Sequence, residues 1–154
     1  KILENLNKLN FKSYKIDMIK GIFNKDINFL KKKFFNLNIR NINQSEQNFF
    51  IKRLSKSKIF ISAGGSTLIE SIYLNTPVIT ICRTKNQENN CKNFSKNKLI
   101  YNLGKKVNGT QLCKFLKILI LKKKSYSDVQ ARMAKYKKKE LQDILAKVVF
   151  NQLC

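Results

Sequence analysis

KIFISAGGSTLIE, residues 58–70, is the stretch that decides how this sequence folds. It begins as a short apolar run typical of a buried strand, passes through two glycines and continues with the apolar spacing of a helix. The glycines permit backbone dihedrals and a close ligand approach that a Cβ would prevent. The helix that follows presents free amides and the positive end of its dipole, which favour an anion. The pattern therefore indicates a phosphate-binding turn, whose candidate residues are Gly64, Gly65, Ser66 and Thr67.

The same turn also has a purely structural interpretation. Thr67 and Glu70 are spaced as a capping box, in which two side chains satisfy backbone amides at a helix start. From the local pattern alone, ligand binding and helix capping both remain open.

Short apolar runs alternate with helix-length amphipathic segments along the chain, which is typical of βαβ units. Strands are predicted at 14–19, 37–42, 58–62, 77–82 and 99–103. Helices are predicted at about 25–34, 45–56, 66–75 and 87–96, with further helices from Thr110 onward. We expect a single α/β domain over residues 1–154, with a Rossmann-like parallel sheet of about five to six strands and helices on both faces.

The chain is strongly basic, with 32 Lys and Arg against 9 Asp and Glu and a formal net charge of +23. Such a balance raises the question of nucleic acid or an anionic membrane as a partner. The excess is almost entirely lysine spread along the sequence, and no repeated aromatic-plus-arginine stacking surface is visible. We therefore interpret most lysines as solvated surface and do not expect nucleic acid to be the partner.

Cysteine and histidine usage bounds the chemistry. The 4 cysteines, Cys82, Cys91, Cys113 and Cys154, form no C-x-x-C pair, and the count of histidine is 0. We therefore expect neither a metal site nor a cofactor. Thiols of this kind fit a reducing cytoplasm, and the missing histidine removes the commonest general base.

The chain begins at Lys1 and shows no charged-then-apolar leader, so we expect a domain taken from a longer protein. Its longest apolar run, 115–121, is interrupted by Lys117, and no bilayer-spanning helix is expected. KFLKILILKKK, residues 114–124, places an apolar helix edge beside lysines. Peripheral contact with an anionic membrane is thus an alternative to packing of that helix on the sheet.

A longer stretch, ISAGGSTLIESIYLNTPVITICRTKNQENN at 61–90, carries a family resemblance. Its AGGST turn, the glutamate three residues later, the TPV turn and the NQ-x-x-N segment resemble the UDP-2,4-diacetamido-2,4,6-trideoxy-β-L-altropyranose hydrolases of pseudaminic acid synthesis. LIYNLG, residues 99–104, resembles the next strand of that family. The resemblance implies the C-terminal domain of a GT-B enzyme, related to the lipid-linked N-acetylglucosaminyltransferases.

The resemblance also implies a role for each part of the glycine turn. Ser66 and Thr67 would contact the phosphates of a UDP-sugar. Glu70 would accept hydrogen bonds from the ribose hydroxyls, a task suited to an ionised carboxylate facing a vicinal diol.

The sugar is assigned, again by resemblance, to the segment after the next strand. Gln87 and Asn90 would face it, because an amide offers both a donor and an acceptor without adding charge. The structural alternative is that this segment simply starts a helix, with Asn86 as its N-cap.

Catalysis is not assigned within this chain. Hydrolases of this kind carry a glycine-rich loop with a histidine in an N-terminal half, and no such segment is present. The resemblance therefore implies half of a hydrolase that releases UDP by water attack at the anomeric carbon, inactive when isolated. Glu88 is the one local candidate base, and a favourable helix-dipole position explains it equally well. The alternatives are a glycosyltransferase domain using a UDP-sugar donor and a non-enzymatic basic module that binds nucleic acid or an anionic membrane.

Overall fold

Short β-strands alternate with α-helices through residue 102, and the remaining elements are helical. The computed structural model describes residues 2–9, 11–19, 27–42 and 47–153. The strands are β1 (Lys15–Ile19), β2 (Asn38–Ile42), β3 (Phe60–Ser62), β4 (Val78–Thr80) and β5 (Ile100–Asn102). The helices are α1 (Ile2–Lys8), α2 (Ile27–Lys33), α3 (Gln47–Ser55), α4 (Ser66–Tyr73), α5 (Lys85–Lys96), α6 (Gly109–Leu121) and α7 (Lys123–Leu153), and a 3-10 turn spans Phe11–Ser13.

The predicted alternation is confirmed, since each predicted strand contains one observed strand and each predicted helix overlaps an observed one. The predicted helix starts at 25 and 45, and Cys154, lie outside the described residues. The α/β fold class with parallel strands flanked by helices is therefore correct.

The strands do not form the single sheet of five to six strands that the alternation predicted. In the described residues β1 pairs with β2, while β3, β4 and β5 form a separate sheet in that order, and every pairing is parallel. β3 is three residues long and is followed directly by Ala63 and the bend at Gly64. Among the described residues, its other edge pairs with no strand.

One hydrophobic core nevertheless unites the two sheets, because Ile39 of β2 and Val78 of β4 belong to the same cluster. β4 is buried along its whole length, as expected of a central strand covered on both faces. Helix α4 contributes Leu68 and Ile72, which are four residues apart and so lie on one helix face. α6 buries a similar stripe consisting of Leu112, Leu116 and Leu119.

The long helix α7 fixes the C-terminal ends of α4 and α5. Gln130 Nε2 donates to the carbonyl oxygen of Asn75 at 3.0 Å, just past the end of α4. Arg132 Nε donates to the carbonyl oxygen of Lys98 at 2.9 Å, just past the end of α5. Both bonds lie at the C-terminal ends of these helices, away from their N-termini. Within the described residues, no helix combines the length and the apolar character needed to cross a membrane.

Candidate functional site

The site predicted from the sequence lies where the parallel strands β3, β4 and β5 end. Because carboxyl ends of parallel strands meet at one edge of a sheet, the turns after β3 and β4 are neighbours there. α4 and α5 both begin at this edge. The fold therefore brings the predicted phosphate-binding turn and the predicted sugar-binding segment together.

The two glycines of the turn differ in what they do. Gly64 has φ of +88°, and a Cβ added there would lie 2.5 Å from Cys91 Sγ and 3.5 Å from Gln87 Cβ. Only glycine fits this left-handed, closely packed position. A Cβ on Gly65, in contrast, would meet nothing within 4 Å. Gly64 thus presses the start of α4 against the first half of α5, while Gly65 borders open space.

The N-terminus of α4 carries no side-chain cap. Its N-cap residue is Gly65, which has no side chain to cap the helix, and no side chain of the described residues bonds to the first amides. The Leu68 amide donates to the Gly65 carbonyl oxygen at 3.0 Å. The amides of Ser66 and Thr67 precede that bond and belong to the group that a helix cannot satisfy internally. The first turn also contains no acidic residue, so the positive end of the helix dipole is not offset there.

The capping-box interpretation of Thr67 and Glu70 is wrong. Thr67 is the second residue inside α4, because the helix starts at Ser66, and its hydroxyl lies 3.3 Å from Ser62 Oγ. Among the described residues, no hydrogen bond or ion pair is found for the Glu70 carboxylate. Glu70 lies about one helical turn after the free amides, and its carboxylate is available to a ligand.

Ser62 supports the glycine turn, and it was not among the residues predicted from the sequence. It is buried at the end of β3, where its Oγ accepts from the Gly64 amide at 3.4 Å and contacts the Thr67 hydroxyl. These contacts hold the glycine turn against the end of β3. The available signal was a hydroxyl residue that ends an otherwise apolar strand.

Gln87 occupies a structural position at the start of α5. Its Oε1 accepts from the amides of Arg83 at 2.9 Å and Thr84 at 3.3 Å, as the third helical residue of a capping box does. The N-cap is Thr84, so the alternative assignment of that role to Asn86 is wrong. Only the amide nitrogen of Gln87 remains for a ligand. Asn90, three residues on, is exposed.

Glu88 is committed to an ion pair. Its Oε1 lies 2.8 Å from Lys105 Nζ. The Lys105 ammonium group holds the pKa of Glu88 below its ordinary value. A general base works best with a pKa near the operating pH, so this carboxylate is poorly suited to that role.

Two buried thiols, Cys82 and Cys91, lie near the glycine turn and the start of α5. Burial, with the Cys91 thiol as a second cause, raises the pKa of Cys82 to about 12. Cys82 is therefore a protonated packing residue. It also lines an open pocket beside α5, together with Glu88, Lys92, Asn102, Gly104 and Lys105. No group of metal-ligating side chains occurs among the described residues.

Residues 2–148 match the glycosyltransferase family 28 C-terminal domain, and the chain belongs to this family. The fold resembles UDP-GlcNAc 2-epimerase from Neisseria meningitidis bound to UDP-GlcNAc, with a TM-score of 0.67, 17% identity, and 84% of this chain and 34% of that chain covered. It also resembles the glycotransferase of kitacinnamycin, with a TM-score of 0.60, 13% identity, and 95% and 38% covered.

At these identities the structural likeness establishes the fold, a GT-B Rossmann-like domain. The chain spans only 34% and 38% of the two structures. No curated protein sequence matches it significantly.

Proposed function

We propose that this chain is the nucleotide-sugar-binding domain of a UDP-sugar enzyme, and that it binds the diphosphate at the N-terminus of α4. The observation that carries this proposal is that α4 begins at a strand end without a side-chain cap, with Ser66 exposed and open space beside Gly65. Unpaired amides and an unopposed helix dipole bind phosphate. The Ser66 and Thr67 hydroxyls would add donors to the same anion.

We assign the ribose and the sugar to residues further along α4 and in the first turns of α5. Glu70 would accept hydrogen bonds from the ribose hydroxyls, since its carboxylate has no partner among the described residues. The sugar would lie towards the first turns of α5. There Gln87 would donate from its amide nitrogen, because its oxygen already caps the helix, and exposed Asn90 would contact a ring substituent.

A UDP-sugar hydrolase of the pseudaminic acid type is the specific activity we propose. Its support is the composite motif at 61–90. Water would attack the anomeric carbon, the bond from that carbon to the β-phosphate oxygen would break, and UDP would leave with the electron pair. The amides at α4 would stabilise the leaving diphosphate, while a base elsewhere takes the proton of the water.

That base is assigned to a second domain. Glu88 is ion-paired with a lowered pKa, and Glu70 is assigned to ribose. We therefore propose that an N-terminal catalytic domain completes the enzyme and that this chain alone binds a UDP-sugar without turnover. Free Cys82, Cys91 and Cys113 support placing it in the reducing cytoplasm.

A UDP-sugar glycosyltransferase is the second candidate, favoured by the family to which the chain belongs. The two activities differ only in the nucleophile at the anomeric carbon. Restoring an N-terminal domain by fusion and measuring UDP release with water alone, then with an added acceptor, separates them. Release that depends on the acceptor would favour the transferase.

Nucleotide binding is tested by calorimetry with UDP and with 2′,3′-dideoxy-UDP. We expect Glu70→Gln to weaken UDP binding by roughly 10- to 100-fold, because hydrogen bonds to a charged group are worth about 1.5–3 kcal/mol. The dideoxy analogue should bind both proteins equally, since it lacks the hydroxyls that Glu70 would accept.

Glu88→Gln is the matched control, because it removes a carboxylate from the first turn of the neighbouring helix. It should change UDP affinity little. If Glu70→Gln and Glu88→Gln behave alike, the assignment of Glu70 to ribose is wrong, and if the wild-type chain binds no UDP, the proposed site is wrong.

A further inference from the structure

The side-chain oxygen of Asn102 joins three parts of the C-terminal edge of the sheet. Oδ1 accepts from the Gly104 amide at 2.8 Å and from Thr80 Oγ1 and Cys82 Sγ at 3.3 Å and 3.6 Å. These donors belong to the turn after β5, to β4 and to the segment after β4. Because an amide N–H can only donate, the Asn102 atom that meets Gly104 must be the oxygen.

These bonds hold the segment between β4 and α5 from the sheet side. The Cys82 amide donates to the Gly104 carbonyl oxygen at 2.9 Å, which ties the segment to the same turn. On the helix side, Gln87 Oε1 accepts from Arg83 and Thr84. Residues 82–84 are thus held between Asn102 and Gln87.

The contacts of residues 82–84 affect the site because this segment sets where α5 begins. Gln87 Cβ lies 3.5 Å from the position that a Cβ on Gly64 would take, so a displaced first turn of α5 would carry the Gln87 side chain away from its place beside the glycine turn. Displacements of about 1 Å at positioning groups can be costly. The glycine turn and the start of α4 are held by other contacts, because Ser62 Oγ accepts from the Gly64 amide and contacts the Thr67 hydroxyl.

We propose that Asn102 is a positioning residue for the sugar end of the site: by accepting from Gly104, Thr80 and Cys82 it fixes the segment that places α5 and Gln87, while the phosphate end at α4 does not depend on it. This inference rests on the proposed binding of a UDP-sugar. It predicts that Asn102 supports the part of the affinity that the sugar adds and not the part due to UDP.

The affinity test uses UDP and UDP-GlcNAc as probes on the full chain. Asn102→Leu removes the acceptor, and the affinity gained by adding the sugar should fall about tenfold while UDP affinity stays within about twofold. Asn102→Asp should retain the gain within about threefold, because all three partners are donors and a carboxylate accepts from each. Asn97→Leu is the matched control, since Asn97 also makes a side-chain hydrogen bond, at the far end of α5.

Hydrogen exchange gives a readout that needs no ligand. In Asn102→Leu, the amides of Gly104, Arg83 and Thr84 should exchange faster than in the wild-type chain, while amides inside α4 should not. Asn102→Asp should exchange like the wild-type chain. If Asn102→Leu does not fold, Asn102→Ser is measured in its place, because its short side chain cannot reach the same donors.

The outcomes test the positioning role of Asn102 separately from the proposed binding of a UDP-sugar. Unchanged exchange at 82–84, or equal losses for UDP and UDP-GlcNAc, would overturn the positioning role. A wild-type chain that binds neither probe would overturn the proposed function and the sugar-positioning role with it, while the exchange data would still decide whether Asn102 orders this segment.

Discussion

Helices α4 and α5 begin side by side at the same edge of the same sheet, yet their N-termini are built in opposite ways. At α5, the third residue is Gln87, whose side chain turns back to accept from Arg83 and Thr84. At α4, the third residue is Leu68, which is fully buried and has no polar atom to offer. One start is closed by its own chain, and the other is left open to a ligand.

The difference is confined to the N-terminal ends. α7 bonds to the carbonyl groups of Asn75 and Lys98, just beyond α4 and α5 respectively. Both helices are therefore fixed alike at the end away from the site. An uncapped helix start presents free amides and the positive end of its dipole, which favour an anion.

Gly64→Ala should have the largest effect on this arrangement. The substitution puts a Cβ at φ of +88° and 2.5 Å from Cys91 Sγ. Left-handed strain and overpacking together predict a loss of about 2–4 kcal/mol in the free energy of unfolding. Urea denaturation measures it.

Gly65→Ala is the control, because its Cβ would enter open space. Its cost should stay below about 1 kcal/mol, the difference between glycine and alanine at an N-cap. In a double-mutant cycle, Cys91→Ala should recover about 1–3 kcal/mol of the Gly64→Ala loss by removing the clash. Equal losses at the two glycines would mean that Gly64 does not hold α4 against α5.

Gln87→Ala tests whether the start of α5 is closed by its cap. Loss of the cap should lower the free energy of unfolding by about 1 kcal/mol. Asn90→Ala, on the same helix, should change it by less than about 0.5 kcal/mol. If Gln87→Ala leaves stability unchanged and removes only UDP-sugar affinity, then Gln87 serves the ligand and the contrast between the helices is weaker than the structure indicates.

The smallest expected effect concerns pH. α5 carries Glu88 in its first turn, paired with Lys105, whereas α4 has no acidic residue there. Because the folded-state pKa of Glu88 is lowered, the pair stabilises the fold above the ordinary glutamate pKa, and this contribution is lost as the pH falls through the lowered value. Glu88→Gln should therefore be slightly less stable at neutral pH and equal to the wild-type chain in acid.

Urea denaturation over a pH series checks this prediction, and added salt should shrink the difference because Lys105 is exposed. A difference that persists in acid would mean that Glu88 stabilises α5 by other means than its charge.

The sequence by itself determined the features that depend on local pattern. The apolar runs located the five strands of the described residues, and the glycines of 58–70 located the turn that opens into α4. An apolar run and a glycine in a turn are features of a few adjacent residues, so a single sequence encodes them directly. The resemblance at 61–90 added the roles proposed for Ser66, Thr67 and Glu70, which stay predictions.

Only the tertiary structure decided which polar groups meet. Thr67 could have capped a helix with Glu70, and its hydroxyl instead meets Ser62. Gln87 was predicted to face a sugar, and its oxygen caps α5. Asn102 gave no signal in the sequence, because it is one of many asparagines and its donors, Thr80 and Cys82, lie 22 and 20 residues away. Polar side chains of similar chemistry compete for the same partners, and the packing of strands and helices alone selects among them.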